Sequence, residues 1–206
     1  MPGLKPVRFL LLLTVGLGLC GCPNSPAPPP ASPDRPLGPA ELLTFTPDAN
    51  HYLAPGHLFP AEADTARKET LQRLADQLNR SYFGDGQEPA AAGIRIEVIG
   101  VYTIALPHRP LHVVAVNLHD PGQAAWRDFF QGSAGGQTTY YLLAATLMQP
   151  QLSPPLADGL VVLYNGEAFP ELDHIRFRGI VSAESVRPVV VKAIQRRQPR
   201  PHDASG

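Results

Sequence analysis

Residues 94–118 read IRIEVIGVYTIALPHRPLHVVAVNL, and this stretch decides the fold of the chain. Its first half alternates apolar and charged side chains and then becomes apolar on both sides, which is typical of a strand that enters a core. Pro107 and Pro110 interrupt the run, because proline cannot donate a hydrogen bond to a neighbouring strand. Residues 111–118 form a second apolar run after this short break. The stretch therefore predicts an antiparallel β-hairpin.

Upstream of the hairpin, residues 62–81 have the pattern of an amphipathic helix. Apolar side chains recur there at the i, i+3, i+4, i+7 spacing of one helix face. These residues are Leu71, Leu74, Ala75 and Leu78. Residues 40–60 are too apolar for a free linker, so we expect them to pack irregularly on the domain or to add an edge strand.

Downstream, Trp126, Phe129 and Phe130 fall on one side of a short helix predicted near 122–131. The glycine-rich stretch 132–136 lacks the lysine and the spacing of a phosphate loop, and we interpret it as a flexible connection. The following run, TTYYLLAATLM at 138–148, predicts a third strand, although its second half could be helical.

The last third of the chain predicts two more strands and a helix. A strand at 160–164 precedes Asn165-Gly166, a strong turn signal. Ile175, Phe177 and Val181 alternate with arginines in a fifth strand. A helix at 185–197 would be capped near Glu184 or Ser185 and would hold Pro188 in its first turn. Residues 189–191 could equally form a sixth strand.

These elements predict an α+β domain over residues 41–197, with a mainly antiparallel sheet of five or six strands packed against two or three helices. Residues 198–206 (QPRPHDASG) lack apolar content and are expected to form a disordered tail.

Composition excludes several classes of protein. The 206-residue chain is 44% hydrophobic and 17% charged, with a net charge of −1. A nearly neutral chain has no electrostatic basis for nucleic-acid binding. Cys20 and Cys22 are its two cysteines, so the predicted domain contains neither a disulfide nor a thiolate metal site.

The amino terminus has the organisation of an export signal. Lys5 and Arg8 precede the almost wholly apolar residues 9–19. A membrane-spanning helix needs about 20 such residues, so this run is too short to span. A positive segment followed by an apolar segment of this length is typical of a secretory signal peptide.

The end of that segment, Leu19-Cys20-Gly21-Cys22, resembles a bacterial lipobox. The resemblance implies that the thiol of Cys22 receives a diacylglyceryl group and that the signal peptide, residues 1–21, is cleaved between Gly21 and Cys22. Cys20 fits poorly, because Leu19 would then occupy the small-residue position. The residue after Cys22 is Pro23 rather than aspartate, which favours the outer membrane in bacteria that have one.

Residues 22–40 are predicted to be the lipidated cysteine and a proline-rich tether. Residues 23–39 read PNSPAPPPASPDRPLGP, a composition that cannot bury enough surface to offset its ordering entropy. Proline-rich chains extend by about 3.1 Å per residue, so the tether would reach at most roughly 50 Å.

The histidines were considered as ligands or as acid–base groups. Pro110, between His108 and His112, excludes a helical pair of ligands. His112 and His119 flank one predicted strand, Asp120 follows His119, and His174 follows Asp173. A His/Asp metal or acid–base site at His112, His119, Asp120 and His174 would require the strand ends to converge. The spacing does not require this, so no metal and no cofactor is predicted.

Three functions are compatible with this sequence. The first is a membrane-anchored cell-envelope lipoprotein whose non-catalytic domain binds or assembles with an envelope protein. The second is a small envelope hydrolase that uses the His/Asp set, and the third is a carrier of a small ligand. No G-x-S-x-G or H-E-x-x-H motif is present, so the sequence gives no reason to assign catalysis.

Overall fold

The computed structural model describes residues 41–50, 52–60, 66–83, 94–122, 125–172, 175 and 177–197, all within one compact unit. Seven strands and four α-helices occur in these ranges. The strands are β1 (Glu41–Pro47), β2 (Leu53–Pro60), β3 (Arg95–Ile104), β4 (Leu111–His119), β5 (Gly159–Tyr164), β6 (Glu167–Ala168) and β7 (Val181–Ser182). The helices are α1 (Arg67–Leu78), α2 (Ala125–Phe130), α3 (Ser133–Met148) and α4 (Ala183–Arg197), and a π-helical turn, Asn79–Phe83, extends α1.

The main sheet has five strands in the order β3-β4-β5-β6, with β7 paired to β5 as well. The predicted hairpin is confirmed, because β3 and β4 pair antiparallel from Arg95–His119 to Ile104–Leu111. The β4–β5 pair is parallel, whereas β6 and β7 both run antiparallel to β5. The chain therefore has an α+β fold with one parallel pair in an otherwise antiparallel sheet.

The third strand predicted at 138–148 is wrong, and the helical alternative for its second half is confirmed, because these residues belong to α3. A parallel β4–β5 pair needs a long crossover connection, and α2 and α3 supply it. Ten residues of α3 are buried. A segment that is apolar on all sides loses the 3.6-residue period, so its pattern cannot separate a buried helix from a buried strand.

The flexible connection predicted at 132–136 is also wrong, since α3 begins at Ser133. Gly136 of α3 packs against Phe130, the last residue of α2. A Cβ atom at this position would be 2.9 Å from the carbonyl oxygen of Phe130 and 2.7 Å from the side chain of Ile175. The glycine therefore permits close packing rather than flexibility.

The predicted fifth strand is largely absent. Its residues within the described ranges form an isolated bridge, Leu172–Ile175, and the two-residue β7. Phe177 instead packs edge-on against Phe130 and Phe169, with ring centroids 5.9 and 4.8 Å apart. Phe177 is thus held by aromatic packing and not by the strand pairing that the alternating pattern predicted.

The carboxy-terminal helix is confirmed, and the alternative strand at 189–191 is excluded, because α4 runs from Ala183 to Arg197. Its cap is neither Glu184 nor Ser185 but Ser182, whose Oγ accepts the Glu184 N–H at 3.1 Å. Pro188 consequently lies in the second turn rather than in the first.

The amphipathic helix predicted at 62–81 is confirmed over α1, whose four predicted apolar residues are at most 1% exposed. They pack in one core with β3, β4 and α3. None of the described helices is long and apolar enough to cross a membrane.

Residues 41–47 and 53–60 form a separate two-stranded antiparallel sheet, β1–β2, rather than an edge strand of the main sheet. Gln149, fully buried in the left-handed region at φ 49°, fixes this hairpin to the end of α3. Its Oε1 accepts the Leu43 N–H at 2.8 Å, and its Nε2 donates to the Leu43 carbonyl at 2.7 Å. The Gln149 amide thus makes the two backbone hydrogen bonds that a neighbouring strand would make to Leu43.

Candidate binding cleft

Two members of the predicted histidine set, His112 and His119, do not converge. His112 and His119 lie at opposite ends of β4, and seven residues at 3.3 Å per residue separate them by roughly 23 Å. His174 and Asp173 lie outside the described residues, as do Gly21 and Cys22. No group of three or more histidine, cysteine, aspartate or glutamate side chains in the described ranges could hold a metal ion.

Asp120 lies at the carboxyl end of β4 and is fully buried. Its Oδ2 accepts the backbone N–H of Trp126 at 3.0 Å and the hydroxyl of Tyr164 at 2.9 Å. Asn165 bonds both backbone groups of Asp120, at 2.7 and 2.9 Å. These bonds join the start of α2 to the ends of β4 and β5, which gives Asp120 a structural role.

Tyr164 is partly buried beside Asp120. Burial, followed by the hydrogen bond to Asp120, raises the pKa of Tyr164 to about 12. The phenol remains protonated at neutral pH and acts as a hydrogen-bond donor.

The opposite end of the β4–β5 pair is open. Here a surface cleft of about 630 Å³ lies beside the amino ends of both strands. Its apolar lining comes from β3, β4, β5 and the segment before β7, and includes Ile104, Leu111, Val113, Gly159 and Ile180. Ile104 and Ile180 are 40% and 53% exposed, although both are apolar.

Charged side chains form the rim of this cleft. Arg109 and Asp158 make an ion pair at 2.7 Å, and Glu184 and Arg187 of α4 line the other side. The hydrogen bond to Asp158 and its negative charge raise the pKa of Arg109. The Arg109 side chain is 52% exposed, whereas that of Asp158 is only 9% exposed. The buried carboxylate therefore holds the exposed guanidinium at the cleft.

Asp158 also holds three elements together. Its Oδ2 accepts the His112 N–H at 2.8 Å, its own N–H donates to the His112 carbonyl at 2.7 Å, and its carbonyl accepts the Ala183 N–H at 2.9 Å. The first residues of β4, β5 and α4 are therefore placed by one aspartate. His112 Nδ1 lies 3.3 Å from Thr103 Oγ1, on the neighbouring strand.

Gly159 allows the wall of the cleft to form. A Cβ atom at this position would lie 2.5 Å from the Ile180 side chain and 3.4 Å from that of Val113. The glycine therefore lets Ile180 cross directly over the start of β5.

Sequence reasoning did not find this site. Pro107 and Pro110 were predicted only to interrupt the two strands. Arg109 and Asp158 are far apart in the chain, and the register of β4 against β5 brings them together. The available signal was an aspartate directly before Gly159 at the start of a strand.

No protein-family model matches the chain, and no curated protein matches it at a significant level. One solved structure, described as "Putative Lipoprotein from Clostridium perfringens", is similar at a TM-score of 0.35 and 11% identity, over 72% of this chain and 90% of that one. A similarity at this level carries no argument about the function of this chain.

Proposed function

We propose that this protein is a lipoprotein of the bacterial cell envelope, anchored to a membrane by a lipid on Cys22, and that its domain is a non-catalytic binding or assembly module. The binding site is the 630 Å³ cleft, and its partner is a segment of another envelope protein. The tether at residues 22–40 would hold the domain clear of the lipid head groups.

The cleft is the observation that carries this proposal. Exposed apolar side chains on its walls favour burial against a partner, because burying apolar surface is the main driving force of association. The fixed charges of Arg109, Glu184 and Arg187 on the rim would select the orientation and register of a bound segment.

The two alternatives receive less support. A hydrolase based on the predicted histidines would need His112 and His119 in one site, and these residues lie at opposite ends of β4. A carrier would need space between the sheet and the helices. That region is filled by side chains without exposure, including Leu71, Leu142 and Val116.

Lipid labelling tests the anchor. We expect the full chain and the Cys20→Ser variant to incorporate a palmitate analogue, and Cys22→Ser to lose the label. Equal labelling of the Cys22→Ser variant would exclude this residue as the anchor.

Site-specific photo-crosslinking in intact cells tests the cleft. A photoreactive amino acid at Ile180 or Arg187 should give one reproducible protein adduct. The same group at Val191, which is 38% exposed on α4 and outside the cleft lining, should not. Identical adduct patterns from all three positions would contradict a binding site in the cleft.

A further inference from the structure

β3 is an edge strand of the main sheet, and its two halves differ in whether side chains cover the outer edge. In the first half, amide side chains from the neighbouring helical segment accept the outward backbone N–H groups. Gln72 of α1 accepts the Val98 N–H at 2.7 Å, and Asn79 of the π-helical turn accepts the Ile96 N–H at 3.1 Å. Amides in these positions block the addition of another strand.

The second half of β3 has no such cover among the described residues. The register shifts between Val98 and Gly100, so that Ile99 is an extra, bulged residue. The N–H groups of Ile96 and Val98 point away from β4. Successive residues of a strand point their backbone groups to alternate sides, and the bulged residue shifts this alternation by one position. The N–H and C=O groups of Val101 and Thr103 therefore lie on the same outer edge. Within the described residues no hydrogen bond reaches these groups from that side.

Apolar side chains surround the open edge. Tyr102, Ile104 and Leu106 are 56%, 40% and 48% exposed. The ring of Tyr102 lies over Gly100, 3.5 Å from where a Cβ atom would be. An open row of backbone donors and acceptors flanked by apolar side chains is suited to binding an extended strand.

We propose that the occupant is β3 of a second copy of this chain, paired antiparallel about a two-fold axis at Tyr102. In this register Val101 and the partner's Thr103 exchange both backbone hydrogen bonds, and the symmetric pair does the same. Tyr102 then faces the partner's Tyr102 in a non-hydrogen-bonded pair, where cross-strand aromatic contacts are favourable.

Two features favour a second copy over an unrelated strand. Antiparallel pairing of one segment with itself is two-fold symmetric, so every open group finds its complement. Residues 98–106, VIGVYTIAL, carry no charge, so no like charges oppose each other across the axis. Gln72 and Asn79 limit the pairing to residues 100–104. The inference does not depend on the lipid anchor or on the cleft partner.

Engineered cysteines test the register, with both natural cysteines replaced in the full-length chain (Cys20→Ser, Cys22→Ser) and the protein purified in mild detergent. Non-hydrogen-bonded antiparallel pairs have Cα atoms about 4.5 Å apart, within disulfide range, so Tyr102→Cys should oxidise to a covalent dimer. Ile104→Cys is the matched control on the same strand and face. The two copies of residue 104 would be about 14 Å apart and should cross-link about tenfold less.

A second variant keeps the proposal testable if the cysteine variant folds poorly. Thr103→Pro removes an outward N–H and leaves the β4 ladder intact, so the molecular mass from sedimentation should fall from dimer to monomer with an unchanged circular dichroism spectrum. Equal cross-linking at positions 102 and 104, no cross-linking at 102, or an unchanged mass for Thr103→Pro would each overturn the proposal.

Discussion

The two ends of the parallel β4–β5 pair each carry one aspartate, and the two are surrounded differently. The carboxyl end is called the closed end because its aspartate, Asp120, is fully buried among Trp126, Tyr164 and Asn165. At the cleft end, Asp158 pairs with the half-exposed Arg109 beside a cleft of about 630 Å³. Both aspartates accept a backbone N–H and fix strand ends, but only the second holds a charge towards solvent. Asp120 therefore maintains the fold, whereas Asp158 both maintains the fold and shapes a surface.

The largest effect should come from removing the aspartate of the closed end. Asp120→Ala leaves the Trp126 N–H and the Tyr164 hydroxyl without their acceptor, and we expect a loss of about 3 kcal/mol in the free energy of unfolding. Chemical denaturation measures it. Asp128→Ala, an exposed aspartate on α2, is the control and should change stability by less than about 0.5 kcal/mol. Similar losses in both variants would show that Asp120 has no special role.

The aspartate of the cleft end should matter less, because part of its environment is solvent. We expect Asp158→Ala to lose about 2 kcal/mol, since the N–H of His112 loses its side-chain acceptor while the backbone bonds of residue 158 remain. The exposed Glu167→Ala is the control. A loss larger than that of Asp120→Ala would reverse the proposed order of the two ends.

Of the two ends, we expect the closed end to be the one that is destabilised when the pH is raised. The folded-state pKa of Tyr164 is raised from 10.0 to about 12, so its stabilising effect is complete below pH 10 and is lost as the pH rises towards 12. Because Tyr164 is partly exposed, solvent screening reduces this loss to about 1–2 kcal/mol. Thermal melting between pH 9 and 12 measures it. Tyr164→Phe should flatten the curve, and a variant with the wild-type slope would assign the loss to other groups.

The smallest effect should come from Arg109. Arg109→Ala removes a half-exposed ion pair, and such pairs contribute at most about 1 kcal/mol. The wild-type advantage should shrink further in high salt, because exposed charges are screened. A salt-independent loss above about 2 kcal/mol would mean that Arg109 stabilises the fold as a buried group does.

The sequence predicted elements whose pattern is periodic and missed those set by distant contacts. The first half of β3 and helix α1 each have one buried and one solvated face, so alternation or helical spacing was visible. In α3, residues such as Leu142, Ala144 and Thr146 are buried on all sides, and the periodicity disappears. Both the parallel pairing and the cleft follow from that helix, because the crossover through α3 brings Asp158 beside Arg109.

The junction at Gln149 determines how the domain responds to mechanical tension. A pulling force applied at residue 41 enters through β1, which is held to α3 by the amide of Gln149 at Leu43 and by the hydroxyl of Thr146, 3.3 Å from the Phe45 nitrogen. These hydrogen bonds, the β2 ladder and the burial of Leu42 and Phe45 in the core connect residue 41 to the main sheet. In a tethered chain the β1–β2 hairpin would therefore receive the load first, and the main sheet and its cleft would receive it through these contacts.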